Sequence, residues 1–315
     1  MNIFYLFEEN KKNKYKKMKS SVRFASHSGS WYDDNPIKLS RELDKYLSAS
    51  NRYDEYKSLK SVIVPHSGLC YGGPVAAKAF INVNPENYDR VVILGPSHYE
   101  YFEGCGLTTF NKFECPFGDV DVDTSTVQKL LNDSKHFFPF PQSSDVQEHS
   151  IEMEIPFLKY VFNKKPFSIV PMVVGHGNLR KNTELGKCLY DLYEDQKTLF
   201  VISSDFCHWG RDFDYTYYNK KFKTIWESTQ DLDKQALDII GQMNSKKFDD
   251  YIQTTNNTIC GSNPITIILS IIEQYQKNHQ DKKISFETAG YDQSNKVKSM
   301  KDSSVSYAAG VNFII

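Results

Sequence analysis

The chain has 315 residues, with 38 basic and 39 acidic side chains, a net charge of -1 and a mean hydropathy of -0.52. Near-neutral charge gives no global field for nucleic acid or an anionic membrane. The longest apolar run, Ile265 to Ile272, is far short of the roughly twenty residues a spanning helix needs, so no integral membrane association is expected.

Residues 1–19 place a short apolar patch ahead of a lysine-rich stretch, the reverse of a secretory signal, and Glu8 and Glu9 argue against a transit peptide. This segment reads as a solvated, disordered extension, with weak surface binding as the alternative. Residues 20–315 contain no repeat and no Gly/Ser or Pro-rich linker, and read as a single α/β domain. The six cysteines are sparse and form no C-x-x-C pair, which favours a reducing, cytoplasmic setting.

Four runs predict buried strands in chain order: Ser61 to Pro65, Arg90 to Leu94, Phe167 to Val174 and Leu199 to Ser203. Their near-continuous Val/Ile character suits a sheet covered on both faces. Ile284 to Ala289 and Ser304 to Phe313 add two strands with weaker alternation. Helical periodicity follows Pro36, and recurs over Thr124 to Leu131, Thr183 to Tyr193 and Asp231 to Met243. A further apolar stripe after Glu148 meets Pro156, which must kink that helix or begin a new one. The segment from Asn263 is apolar on most faces and predicts a buried helix.

Three of the four strands run directly into histidine-bearing polar clusters, at His66, at His98, and at Asp205 with His208. Functional groups in α/β sheets collect beyond the carboxyl ends of strands, so parallel neighbours here would bring these side chains together. Imidazole suits zinc, iron and copper. Cys260, just before the buried helix, is the candidate third ligand; the helix N-terminus would lower its thiol pKa, whereas the alternative is a small buried hydrophobe. His149 lies between Glu148 and Glu152 at a predicted helix start. It reads equally as an imidazole oriented by a carboxylate, fit for a general base, and as part of a solvated acidic first turn. Trp31, beside His27, is either a core anchor or a pocket wall. His176 falls in a glycine-flanked turn, and His136 and His279 lie in polar surface segments. There is no P-loop, no G-x-G-x-x-G, no G-x-S-x-G and no H-E-x-x-H, which argues against nucleotide binding and serine hydrolysis.

Seven blocks, Ser26 to Tyr32, Pro65 to Gly68, Gly95 to His98, Glu148 to Met153, Ser203 to Gly210, Asn257 to Gly261 and Asp302 to Gly310, together resemble the Memo family, mediators of ErbB-driven cell motility. They run in order over residues 21–312. The resemblance implies a class III extradiol dioxygenase-like fold, a largely parallel or mixed sheet sandwiched between helices. It implies metal ligands at His66, His98 and Cys260, with iron or copper as the ion and zinc a third option. It places Asp205, His208 and His149 beside them as catalytic candidates, and Trp31, Tyr71, Asp205 and His208 in a ligand pocket. The implied roles are redox chemistry or metal homeostasis linked to motility signalling, a phosphotyrosine-peptide adaptor with cytoskeletal signalling partners, or a non-haem iron dioxygenase. A thiolate ligand is softer and more oxidisable than the carboxylate of ring-cleaving enzymes, which weighs against the last. Tyr99 and Glu154 stand where animal relatives carry histidines, and Leu69 where an aromatic is usual.

Overall fold

The computed structural model describes residues 21–53 and 58–315; the lysine-rich extension lies outside them. Twelve strands form one mixed sheet. They are β1 (Val22–Arg23), β2 (Ser58–Val64), β3 (Arg90–Pro96), β4 (Cys105–Leu107), β5 (Lys112–Phe113) and β6 (Val120–Val122), then β7 (Phe137–Pro139), β8 (Ser168–Val174), β9 (Thr198–Ser203), β10 (His208–Trp209), β11 (Ile284–Gln293) and β12 (Ser304–Ile314). The main path runs β1-β5-β6-β8-β3-β9-β2-β12-β10, with β11 paired to β12 and β4 and β7 joined at β8.

The four Val/Ile runs are the parallel centre, β8-β3-β9-β2. Val62, Val92, Ile93, Val170 and Val201 are fully buried there, as expected where both faces are covered. Beyond β2 the sheet turns antiparallel through β12 and β11. These two strands are longer than their weak alternation suggests, because β12 is buried along nearly its whole length between two neighbours.

Nine α-helices are described: α1 (Pro36–Ser48), α2 (Leu69–Phe80), α3 (Thr124–Asp133), α4 (Gln142–Gln147), α5 (Ile155–Phe162), α6 (Leu179–Glu194), α7 (Ile225–Gly241), α8 (Ser245–Thr255) and α9 (Ser262–Asn278). One layer packs α6 and α9 on β9, while α1, α2 and α5 cluster in a second layer whose α2 rests on β2, β11 and β12. The Asn35 side chain caps α1 by accepting the Ile37 and Lys38 N–H groups, with Pro36 in the first turn. Leu39, Leu43 and Leu47 supply its buried stripe. Helix α7 begins six residues earlier than its apolar pattern implies, since Thr224 and Glu227 form a capping box upstream.

One expectation fails. Glu148, His149 and Glu152 do not share a helical face: Glu148 is extended (φ -73°, ψ 129°) after α4, Glu152 opens a single 3-10 turn, and Pro156 starts the new helix α5. The two acids are buried and serve different histidines, so a solvated acidic turn is excluded.

Candidate metal centre

Because β3, β9 and β2 are adjacent and parallel, their carboxyl ends deliver His98, Asp205 and His66 to one edge of the sheet. The loop between α8 and α9 brings Cys260 to the same edge, 194 residues from His66 in sequence, with its sulfur 3.3 Å from His66 Nε2. His66, His98 and Cys260 each offer a ligand atom within 4.8 Å of the others. The His66 and His98 rings stand edge to face at 5.1 Å.

The proton on each imidazole is fixed by what lies behind it. The Ser203 hydroxyl donates to the Ser150 carbonyl at 2.6 Å, so it accepts from His66 Nδ1–H at 2.7 Å. His98 Nδ1–H donates to Glu148 at 2.8 Å. Both Nε2 atoms therefore present lone pairs on the Cys260 side, each held by an outer partner as in metal-ligating histidines. Glu148 also accepts the backbone N–H groups of His98, His149 and Ser150. Burial would raise its carboxyl, but the His98 side chain and these donors outweigh that and hold it at about 2. His66, 1% exposed, is driven well below its ordinary value first by burial and then by His98. Gly95 is required here, because a Cβ would lie 2.5 Å from the Ser150 hydroxyl.

Cys260 corrects a second expectation. It precedes the helix N-cap Gly261, yet burial, joined by the nearby Asp205, pushes its thiol up rather than down. Desolvation of the thiolate exceeds the partial charge of the helix end. The Cys260 thiol has two acceptors, His66 Nε2 at 3.3 Å and the Asp205 carbonyl at 3.5 Å, while the Asp205 N–H donates to the sulfur at 3.2 Å. An N–S separation of 3.3 Å matches two ligands on one ion at about 2.1 and 2.3 Å. Donor chemistry and spacing thus fit a transition metal, and binding would displace the thiol proton.

Asp205 is buried: its carboxylate accepts the His66 backbone N–H at 3.1 Å and the Ser67 hydroxyl at 2.5 Å. Burial raises its pKa. His208 Nδ1 faces the carbonyls of Phe206 and Thr258, which leaves Nε2 as an acceptor, and its ring abuts Phe213. His149 stacks on His98 at 4.3 Å and touches His66 and Trp31. Its Nδ1 is buried without a hydrogen-bond partner, 3.7 Å from Glu148, and burial followed by His66 and His98 pulls its pKa to about 3. Trp31 and Tyr71 line a cavity of about 420 Å³ with Ser67, Cys70 and Tyr307. Asp205 and His208 do not reach that lining.

Sequence reasoning missed the support for His27. Glu152 accepts from the His27 backbone and ring, the Tyr32 hydroxyl and the buried Arg23 guanidinium, which also grips Asp145 and the Glu148 carbonyl. The signal was present: two acids in an otherwise apolar stretch need buried partners. Glu154 is buried with both carboxyl oxygens unpartnered.

A mixed sheet between helical layers, with two imidazoles and a thiol converging at its carboxyl edge, defines an α/β protein with a candidate His₂Cys metal site. Residues 23–311 match the family model described as Memo-like protein, and the chain belongs to the Memo family. Protein memo-1 homolog of Caenorhabditis elegans is 41% identical over 296 residues, covering 93% of this chain and 83% of its own length. Protein MEMO1 of Xenopus laevis is 39% identical over 294 residues (93% and 97%), and that of Homo sapiens 37% over 290 residues (91% and 96%). A solved structure titled uncharacterized protein JW3007 from Escherichia coli K12 aligns at TM-score 0.43 and 10% identity, over 78% of this chain and 98% of that one. Among the described residues no helix is long and apolar enough to cross a membrane.

Proposed function

We propose that this protein binds one iron or copper ion, with zinc the third choice, through His66, His98 and Cys260, and serves a redox or metal-homeostasis role linked to cell-motility signalling. One observation carries the reading. Two imidazoles whose other nitrogens are occupied meet a sulfur 3.3 Å from one of them, in a pocket that opens at His98. A thiolate with two imidazoles favours copper(I), zinc or ferrous iron over calcium or magnesium. His149, stacked on His98 next to the opening, and His208, through its acceptor Nε2, are the groups that would exchange a proton with a bound molecule. Asp205, a further catalytic candidate, also orients the His66 loop by accepting its backbone N–H. Wild-type protein purified without chelator or tag should carry about one ion per chain by elemental analysis, with His66→Ala and Cys260→Ser depleted. Equal metal in all three proteins would reject the site.

A second reading is favoured by the Trp31–Tyr71 cavity beside the histidines: a phosphotyrosine-peptide adaptor without turnover. A phosphorylated peptide should then bind more tightly than its unphosphorylated twin, and equal affinities would remove this reading. Oxygen uptake with ferrous iron and a panel of catechols tests the dioxygenase alternative, for which no uptake is the negative result.

A further inference from the structure

A cavity of about 830 Å³ lies away from the histidines, between α1, the C-terminal end of α2 and the C-terminal end of α5. Helix α2 starts three residues after His66 and its twelve residues span about 18 Å, so the cavity sits near the far end of that helix. Among the described residues its lining combines apolar side chains, Ile37, Ile81 and Phe117 among them, with three cations, Arg41, Arg52 and Lys159, and no carboxylate. In a chain of net charge -1 that is a local excess of one sign.

The charges are available. The side chains of Arg41 and Arg52 have no ion-pair or hydrogen-bond partner among the described residues. Lys159 is held at the wall by donating to the Asp119 carbonyl at 3.0 Å. Asp44, the acid that touches the lining, is engaged by the Tyr160 hydroxyl. The last carbonyls of α5 are engaged too, Lys159 by the Asn163 N–H and Phe162 by the Lys165 N–H, which limits the negative end of that helix. Ile37 is 62% exposed on the same side of α1 as Arg41, one turn away, while the leucine stripe of that helix faces the core.

We infer that this cleft binds an amphipathic organic anion, a carboxylate or phosphate head on an apolar body. The guanidinium forks would hold the head bidentately, and the apolar wall would cover the tail in a cavity of ordinary ligand size. The inference stands independently of the metal site. Titration calorimetry on the full chain at low salt, below micelle concentrations, would use decanoate and decyl phosphate. Inorganic phosphate is the head-only control and decyl maltoside the tail-only control. The expected result is saturable one-to-one binding of at least one amphiphilic anion, with both controls weaker by about tenfold or more. Arg41→Gln/Arg52→Gln should weaken that binding about tenfold or more while metal content stays unchanged. Tighter decanoate binding points to a free fatty acid as the source, and tighter decyl phosphate to a phosphorylated lipid. No saturable binding of either probe, or equal binding by the double variant or by a control, overturns the proposal.

Discussion

The ends of β2 and β3 hold their histidines by opposite electrostatics. Behind His66 stands a neutral relay, Ser203 to the Ser150 carbonyl, sealed from water. Behind His98 stands an ionised carboxylate that collects three backbone N–H groups as well. Ser150 joins the two supports, since its carbonyl receives Ser203 and its N–H reaches Glu148. The difference teaches that one imidazole is placed by shape and the other by charge. A carboxylate raises the basicity of the ring it holds, whereas a hydroxyl mainly fixes the tautomer.

Four experiments would break or sharpen that contrast. The largest effect is expected from His66→Ala and Cys260→Ser, which should remove stoichiometric metal. Next, Glu148→Gln should weaken metal binding by about 10- to 100-fold, and Ser203→Ala by clearly less, measured by competition with a chromogenic chelator; equal losses would erase the distinction. Third, the metal-free protein should be sensitive to acid. Glu148 sits at about 2 when folded against 4.5 otherwise, so its contribution is complete above about 4.5 and lost as pH falls towards 2. His149, at about 3 against 6.5, acts in the same direction: the unfolded chain takes up its proton first, so stability falls as pH drops from 6.5 towards 3. Calorimetric Tm should therefore decline from pH 7 to pH 4 in the wild type and less steeply in His149→Gln. A flat profile would contradict the buried, neutral imidazole. Smallest of all, Tyr99→His on the exposed rim should change metal affinity by no more than about twofold, because Tyr99 meets His149 only edge-on at 6.3 Å.

Much of this was readable in the residues. The convergence of His66 and His98 followed from strands ending in histidine-bearing loops, and the neighbouring β3, β9 and β2 deliver it. Cys260 was found by its motif, but its proton affinity was misjudged because burial, unlike helix position, leaves no local mark in sequence. Glu148 and Glu152 were misplaced for a related reason. Their spacing is helical, yet each acid is claimed by a distant donor, His98 in one case and Arg23 with His27 in the other. Two-residue strands such as β1 and β10 exist only through their partners, so no run of residues announces them.

The distance along the chain between His66 and Cys260 has a bearing on biosynthesis. At about 5–20 residues per second, a ribosome needs on the order of 10–40 s to travel the 194 residues from one ligand to the other. A nascent polypeptide carrying both histidines but no sulfur would lack one member of the candidate ligand set. Were an ion held as proposed, its capture would wait until the loop ahead of α9 is in place, and loading would then report on completed folding.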